Sequence, residues 1–150
     1  AQCVIHLHTD YGIAVSTQKH GLLPLAQSSI PGWLSLAYHD FEGLAVRDDE
    51  KERLVADMGD KNALMLRNHG TLTAGTSIAQ AFELMYFLEK ACKIQILTQS
   101  AGAEIQHPSE ESIQNTIGDL QAVAGAKGAD LLVWPALLRK LDRMDSSFRD

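Results

Sequence analysis

The stretch Asn62-Ala63-Leu64-Met65-Leu66-Arg67-Asn68-His69-Gly70-Thr71-Leu72-Thr73-Ala74-Gly75-Thr76-Ser77 decides how the chain is read. Residues 62–67 form a short apolar run that predicts a buried strand, and residues 71–74 predict a second one. Asn68-His69-Gly70 is then the turn between them, with Gly70 expected to let the backbone reverse so that His69 points back over the sheet edge. Ser77 is a favourable N-cap, and the helix it opens is expected to run to about Ser100. Apolar residues from Ile78 and Phe82 through Met85 and Leu88 to Ile96 cover more than one stripe, which predicts burial between layers.

Working outward, residues 3–8 alternate as a strand, and Thr9 or Asp10 caps a short helix carrying Tyr11, Ala14 and Val15 that is over by Gly21. Residues 22–25 are extended ahead of and through Pro24, 28–32 form a loose turn, and 33–37 read as a strand. The charged run 48–57 reads as an exposed helix with Leu54 and Val55 facing inward, stopped by Gly59. Beyond a linker at 101–108, a helix opens near Ser109 and breaks at 125–128, and a last helix covers 134–144 with Pro135 in its first turn. Early strand–helix alternation followed by a helical tail gives an α/β or α+β domain.

A chain of 150 residues with 45% hydrophobic side chains is long enough for one buried core and too apolar for disorder. Nineteen acids against 13 bases, a net charge of −6, argue against a surface that binds nucleic acid through general positive charge. Apolar runs such as 63–66 and 131–134 fall far short of the roughly 20 residues that cross a bilayer, so no membrane partner is expected. No charged and apolar leader pattern opens the chain, and Cys3 and Cys92 lie far apart without a CxxC. Both thiols are expected to be free, as in a cytoplasmic protein.

His6 and His8, two apart on a strand, present their rings on one face about 6–7 Å apart along the chain. With His69 they make three neutral imidazoles around an open position, a donor set for a divalent metal, zinc first and iron, manganese or cobalt behind it. Each histidine also has a plainer reading as a surface or hydrogen-bonded core residue. Asp10 shares the parity of His6 and His8 and would complete a two-histidine, one-carboxylate site if the strand persisted that far. His39, within Tyr38-His39-Asp40-Phe41-Glu42-Gly43, either lines a pocket or shapes a turn, while His20 fits a helix end and His107 a linker. No nucleotide-binding glycine loop and no GxSxG nucleophile elbow is present.

The collinear order of Val4-Ile5-His6-Leu7-His8-Thr9, Ala14-Val15-Ser16, Gly21-Leu22-Leu23-Pro24, Ala37-Tyr38-His39-Asp40-Phe41-Glu42-Gly43 and Leu66-Arg67-Asn68-His69-Gly70 resembles the class II aldolase/adducin family. The Tyr38 to Gly43 segment and the closing run from Trp134 to Arg143 look like its bacterial, adducin-like branch. The resemblance implies a three-layer α/β/α fold with a central, largely antiparallel sheet, usually in a homotetramer. It implies a divalent metal, usually zinc, on His6, His8 and His69. It also implies a metal-dependent lyase acting on a small hydroxy-carbonyl or sugar-phosphate substrate through a metal-stabilised enediolate. Epimerase or decarboxylase chemistry on the same metal, or a non-catalytic adducin-like interaction module, are the alternatives it leaves open. Family members carry phosphate-binding turns and a catalytic glutamate ahead of the HxH strand, and nothing of the kind precedes Ala1. Residues 1–150 are therefore expected to be the C-terminal portion of a single domain, with metal ligands but no assigned acid/base residue. Glu42 and Asp10 have no spacing that supports them as substitutes. Unpaired strands and an uncovered apolar face would drive such a portion to associate.

Overall fold

A computed structural model describes residues 1–44, 48–123 and 128–149. Its sheet has the order β1-β4-β3-β2, built from β1 (Cys3–Leu7), β2 (Leu36–His39), β3 (Ala63–Leu66) and β4 (Gly70–Gly75). β4 pairs antiparallel with both β1 and β3, and β3 pairs parallel with β2, so the sheet is mixed and mainly antiparallel. The β3–β4 hairpin falls where the sequence places it. Its reversal is made by Asn68, which carries a positive φ of 56°, and not by Gly70, which is already the first residue of β4. Asparagine tolerates that left-handed conformation better than most side chains.

On one face of the sheet Ile5, Leu7, Leu36, Ala63 and Met65 pack with Val15 of α1 (Asp10–Ser16) and with Met85, Leu88, Ala91 and Cys92 of α4 (Ile78–Ser100). Ser77 caps α4 as expected, accepting from the Gln80 amide. α4 packs on the sheet and against neighbouring helices, yet Ile78, Tyr86 and Leu97 remain exposed, so the expected burial between layers is only partial. Of the strand expected at 33–37 only residues 36 and 37 are strand. Trp33 belongs to α2 (Ile30–Leu34), with Pro31 in its first turn, and the strand starts only at Leu36. Gly32, which reads as a breaker, is where α2 meets α4: a Cβ there would stand 3.0 Å from the Leu88 Cα.

The opposite face carries Val4 and His6 from β1 and His39 from β2, by strand alternation. α3 (Glu50–Met58) covers its β2 end, where the Asp57 carboxylate bonds the His39 ring. Helices thus flank both faces, while the β1 end of the second face stays open, with Val4 and His6 exposed. The inward stripe of α3 is Glu50, Leu54 and Met58, a period of four; Val55 is 74% exposed, which corrects the expectation that it faces inward. Downstream lie α5 (Glu110–Val123) and α6 (Trp134–Met144), the latter preceded by a π-helical turn at Ala129–Val133. That end docks on α4 through Phe82 and Trp134, whose ring centroids are 5.6 Å apart, and through Gln80 and Asp130. Of the predicted break at 125–128, all but Gly128 lies outside the described residues. Among the described residues no helix is long and apolar enough to cross a membrane.

Candidate metal centre

β1 ends at Leu7, so His6 stands one pair before the end of the strand, opposite Leu72, and His8 lies just beyond the end. His69 occupies the β3–β4 turn, where its amide donates to the Leu66 carbonyl at 3.1 Å. The three rings meet tip to tip: His8 Nε2 lies 2.8 Å from His6 Nε2 and 2.7 Å from His69 Nε2. They are the only group of three potential metal-binding side chains so clustered among the described residues. His6 and His8 are exposed and His69 half-buried, which leaves one side of the cluster open to an incoming molecule.

The chemistry of the donor set tests whether a cation fits. His6 Nδ1 is 2.8 Å from the Thr71 carbonyl, an oxygen that only accepts, so Nδ1 carries the proton and Nε2 keeps its lone pair. His8 Nε2 then faces two ring nitrogens with a single in-plane position of its own. One proton there satisfies one contact and leaves the other as lone pair against lone pair. A cation at the common focus satisfies all three. Nitrogens bound to zinc at about 2.0–2.1 Å stand roughly 3.3 Å apart in a tetrahedron, so the rings need open by only about half an ångström. Burial, reinforced by the neighbouring His6 and His8 rings and partly offset by Glu50, lowers the His69 imidazole below its ordinary value, which favours the neutral form that ligates.

Several residues that hold this arrangement carried little signal in the sequence. A Cβ on Gly70 would lie 2.3 Å from the Leu7 carbonyl oxygen and 3.2 Å from His8 Cδ2, so glycine is needed for close approach of β1 to the turn. Glu89, on α4, receives the hydroxyl of Thr9 and, at 2.6 Å, that of Thr71, clamping the residue after His8 to the residue whose carbonyl fixes His6. An acid directly after the apolar run Leu84 to Leu88 was the available clue. Asp10 does not join the histidines: β1 has ended, and Asp10 is the exposed first residue of α1. His39 is buried on the same face but on the far strand, bonded to Asp57 and apart from the triad.

Residues 1–96 match the family described as the class II aldolase and adducin N-terminal domain. The chain belongs to the class II aldolase/adducin family. A Pseudomonas aeruginosa protein bearing a class 2 aldolase name is 47% identical over 152 residues, covering 99% of this chain and 58% of that protein. The crystal structure of an aldolase II superfamily protein from Pseudomonas syringae superposes with a TM-score of 0.89 at 47% identity, covering 98% of this chain and 59% of the other. L-Fuculose 1-phosphate aldolase from Glaciozyma antarctica PI12 superposes with a TM-score of 0.65 at 30% identity, over 78% of this chain and 43% of the other. The chain thus spans a little over half the length of the class 2 aldolase relative, and its mixed sheet with flanking helices is the class II aldolase fold.

Proposed function

We propose that this chain carries the metal centre of a class II aldolase-type lyase, with His6, His8 and His69 as ligands of one divalent ion, zinc by preference. The observation that carries the reading is the convergence of three Nε2 atoms with His6 locked by the Thr71 carbonyl, in a chain of the class II aldolase/adducin family. Such an ion supplies Lewis acidity toward the hydroxyl and carbonyl oxygens of a small hydroxy-carbonyl or sugar-phosphate substrate, the charge stabilisation that an enediolate needs. The chain's own part is positional. Thr71 and Glu89 hold His6 and His8 in register, Asn68 presents His69, and the open β1 end of the second face leaves room for a substrate.

We further infer that residues 1–150 are the C-terminal portion of a single class II aldolase/adducin-like domain of a cytoplasmic homotetramer. Coverage of little over half of its relatives' length supports the reading as a portion, and exposed apolar side chains such as Ile78, Tyr86, Leu97, Leu131 and Leu132 support association. The decisive test is metal content by plasma mass spectrometry on untagged protein purified without chelator, wild type beside His69→Ala. A loss of about one metal per chain in the variant is expected. Equal metal in both sinks the ligand assignment, and no metal in either favours a non-catalytic adducin-like module.

A further inference from the structure

The residues that flank the histidine cluster in sequence are fastened to opposite ends of one short helix. Thr9, directly after His8, caps the start of α1, where its hydroxyl accepts from the Gly12 amide at 3.0 Å and its carbonyl from the Ile13 amide at 2.9 Å. Arg67 and Asn68, directly before His69, meet the other end. The Asn68 amide donates to the Ser16 carbonyl at 3.3 Å, and Arg67 Nη1 donates at 2.9 Å to the Gln18 carbonyl, which also receives the Gly21 amide. The seven residues of α1, about 10 Å of helix, thus lie between the anchor beside His8 and the anchor beside His69.

Arg67 is held there without an ion pair. It is half-buried, and among the described residues no carboxylate is its partner. Drawing an unpaired guanidinium partly out of water is costly, so its surroundings must offset the charge. The Tyr38 ring lies 4.3 Å from it, and the carbonyl at the end of α1 offers partial negative charge. Both supports are themselves fixed. The Tyr38 hydroxyl accepts from the Leu22 amide at 3.0 Å, and the Gln18 side chain accepts at 2.6 Å from Gln95, which is fully buried in α4. The contact that depends on this anchor is that of His8 with His69, the 2.7 Å approach that joins the end of β1 to the β3–β4 turn. A ligand set tolerates misplacement of only about 0.5 Å, so an anchor lost two residues away is felt at the ring.

We propose that Arg67 is a positioning residue of the metal centre, tying the β3–β4 turn to the end of α1 and so setting the distance at which His69 meets His8. The proposal rests on the reading of His6, His8 and His69 as ligands of one ion. Arg67 acts through His69 and not on the ion, since its guanidinium is turned to Tyr38 and α1. Methionine at this position keeps an unbranched chain over the ring and removes the donor to Gln18. Lysine keeps the charge and a donor but loses the flat stack on Tyr38.

The test separates position from stability. Zinc affinity is measured by chelator competition on the full chain as wild type, Arg67→Met, Arg67→Lys and Ile113→Ala, the last opening a cavity at buried Ile113 of α5, away from the turn. Melting curves by circular dichroism verify that each is folded at the measuring temperature. Arg67→Met is expected to bind zinc about tenfold to a hundredfold more weakly, Arg67→Lys to recover part of that loss, and Ile113→Ala to bind as wild type does. Cobalt in place of zinc should give a changed visible spectrum in Arg67→Met and not in Ile113→Ala, because the ligands themselves have moved. Wild-type affinity in folded Arg67→Met, or an equal loss in Ile113→Ala, overturns the proposal. Arg67→Lys decides alone if Arg67→Met does not fold, and affinity equal to wild type then overturns it. A readout without metal stands apart from the ligand reading: in the metal-free chain the ring nitrogen resonances of His69 should shift in Arg67→Met and stay in place in Ile113→Ala. Resonances unmoved in both overturn the proposal whatever holds the zinc. Failure of the ligand reading has a different signature, namely wild type and His69→Ala binding equal amounts of zinc.

Discussion

One methyl group at Gly70 separates rings that meet from rings that do not. Its Cβ would press on the Leu7 carbonyl at 2.3 Å, and backbone cannot move aside as a flexible side chain can. Gly70→Ala is expected to destabilise the fold by about 1–3 kcal/mol and to weaken zinc at least tenfold, read by urea unfolding and chelator competition. Asn68→Gly at the neighbouring position should change neither by much, since glycine enters the left-handed region at no steric cost. The pair separates close approach from backbone conformation, which Asn68-His69-Gly70 in the sequence could not do: both residues favour turns, and only the fold shows which one makes the reversal. His69 offers a pH test. Its folded value lies below the ordinary one of about 6.5, so the unfolded chain takes up the proton first as the pH falls. In metal-free protein its contribution is therefore level above about 6.5, and stability declines below that until the lowered folded value is reached. His69→Gln should flatten that part of a stability-against-pH curve, and an unchanged slope would assign it to other groups.

At the scale of elements, the site depends on α4 reaching across two strands. Glu89 receives the Thr9 and Thr71 hydroxyls, and Gly12 of α1 fits close beside them, where a Cβ would be 2.9 Å from Glu89 Oε1. Removing the carboxylate strands two partly buried hydroxyls, at about 1–3 kcal/mol each. Glu89→Ala should therefore lower both the unfolding midpoint and zinc affinity, whereas Glu89→Gln, which still accepts through its carbonyl oxygen, should retain most of one and part of the other. Equal effects of the two substitutions would mean that charge, and not the clamp, is what matters. Element positions were largely legible in the sequence: the β3–β4 hairpin, the Ser77 cap and α6 lie where spacing puts them. The failures share a physical cause. Pro31-Gly32 reads as a breaker because local preference disfavours a helix, yet packing on Leu88 rewards one. The α3 stripe was misread because Glu50, an acid, takes an inward position that hydrophobic pattern alone would never give it.

For the whole molecule, the HxH parity was legible because a period of two needs no tertiary knowledge, while the meeting of His6 with His69 was not: it requires β1 to pair with β4, across more than sixty intervening residues. The same long-range pairing makes metal binding a stability matter. An ion held by β1 and the β3–β4 turn binds the folded chain and finds no such focus in the unfolded one, so its binding energy adds to folding. At a free zinc concentration a hundred times the dissociation constant, the gain is about 2.7 kcal/mol. At about 2–4 °C per kcal/mol for a chain of this size, zinc should raise the wild-type midpoint about 5–11 °C more than that of His69→Ala. The buried Cys92 thiol, pushed up to about 12 by burial and the nearby Glu89, reports the same transition chemically. It should resist alkylation until the core around Leu88 and Ala91 opens, so zinc should slow its labelling in wild type by more than in the variant. A midpoint and a labelling rate that respond to zinc equally in both proteins would place the bound ion away from the three histidines.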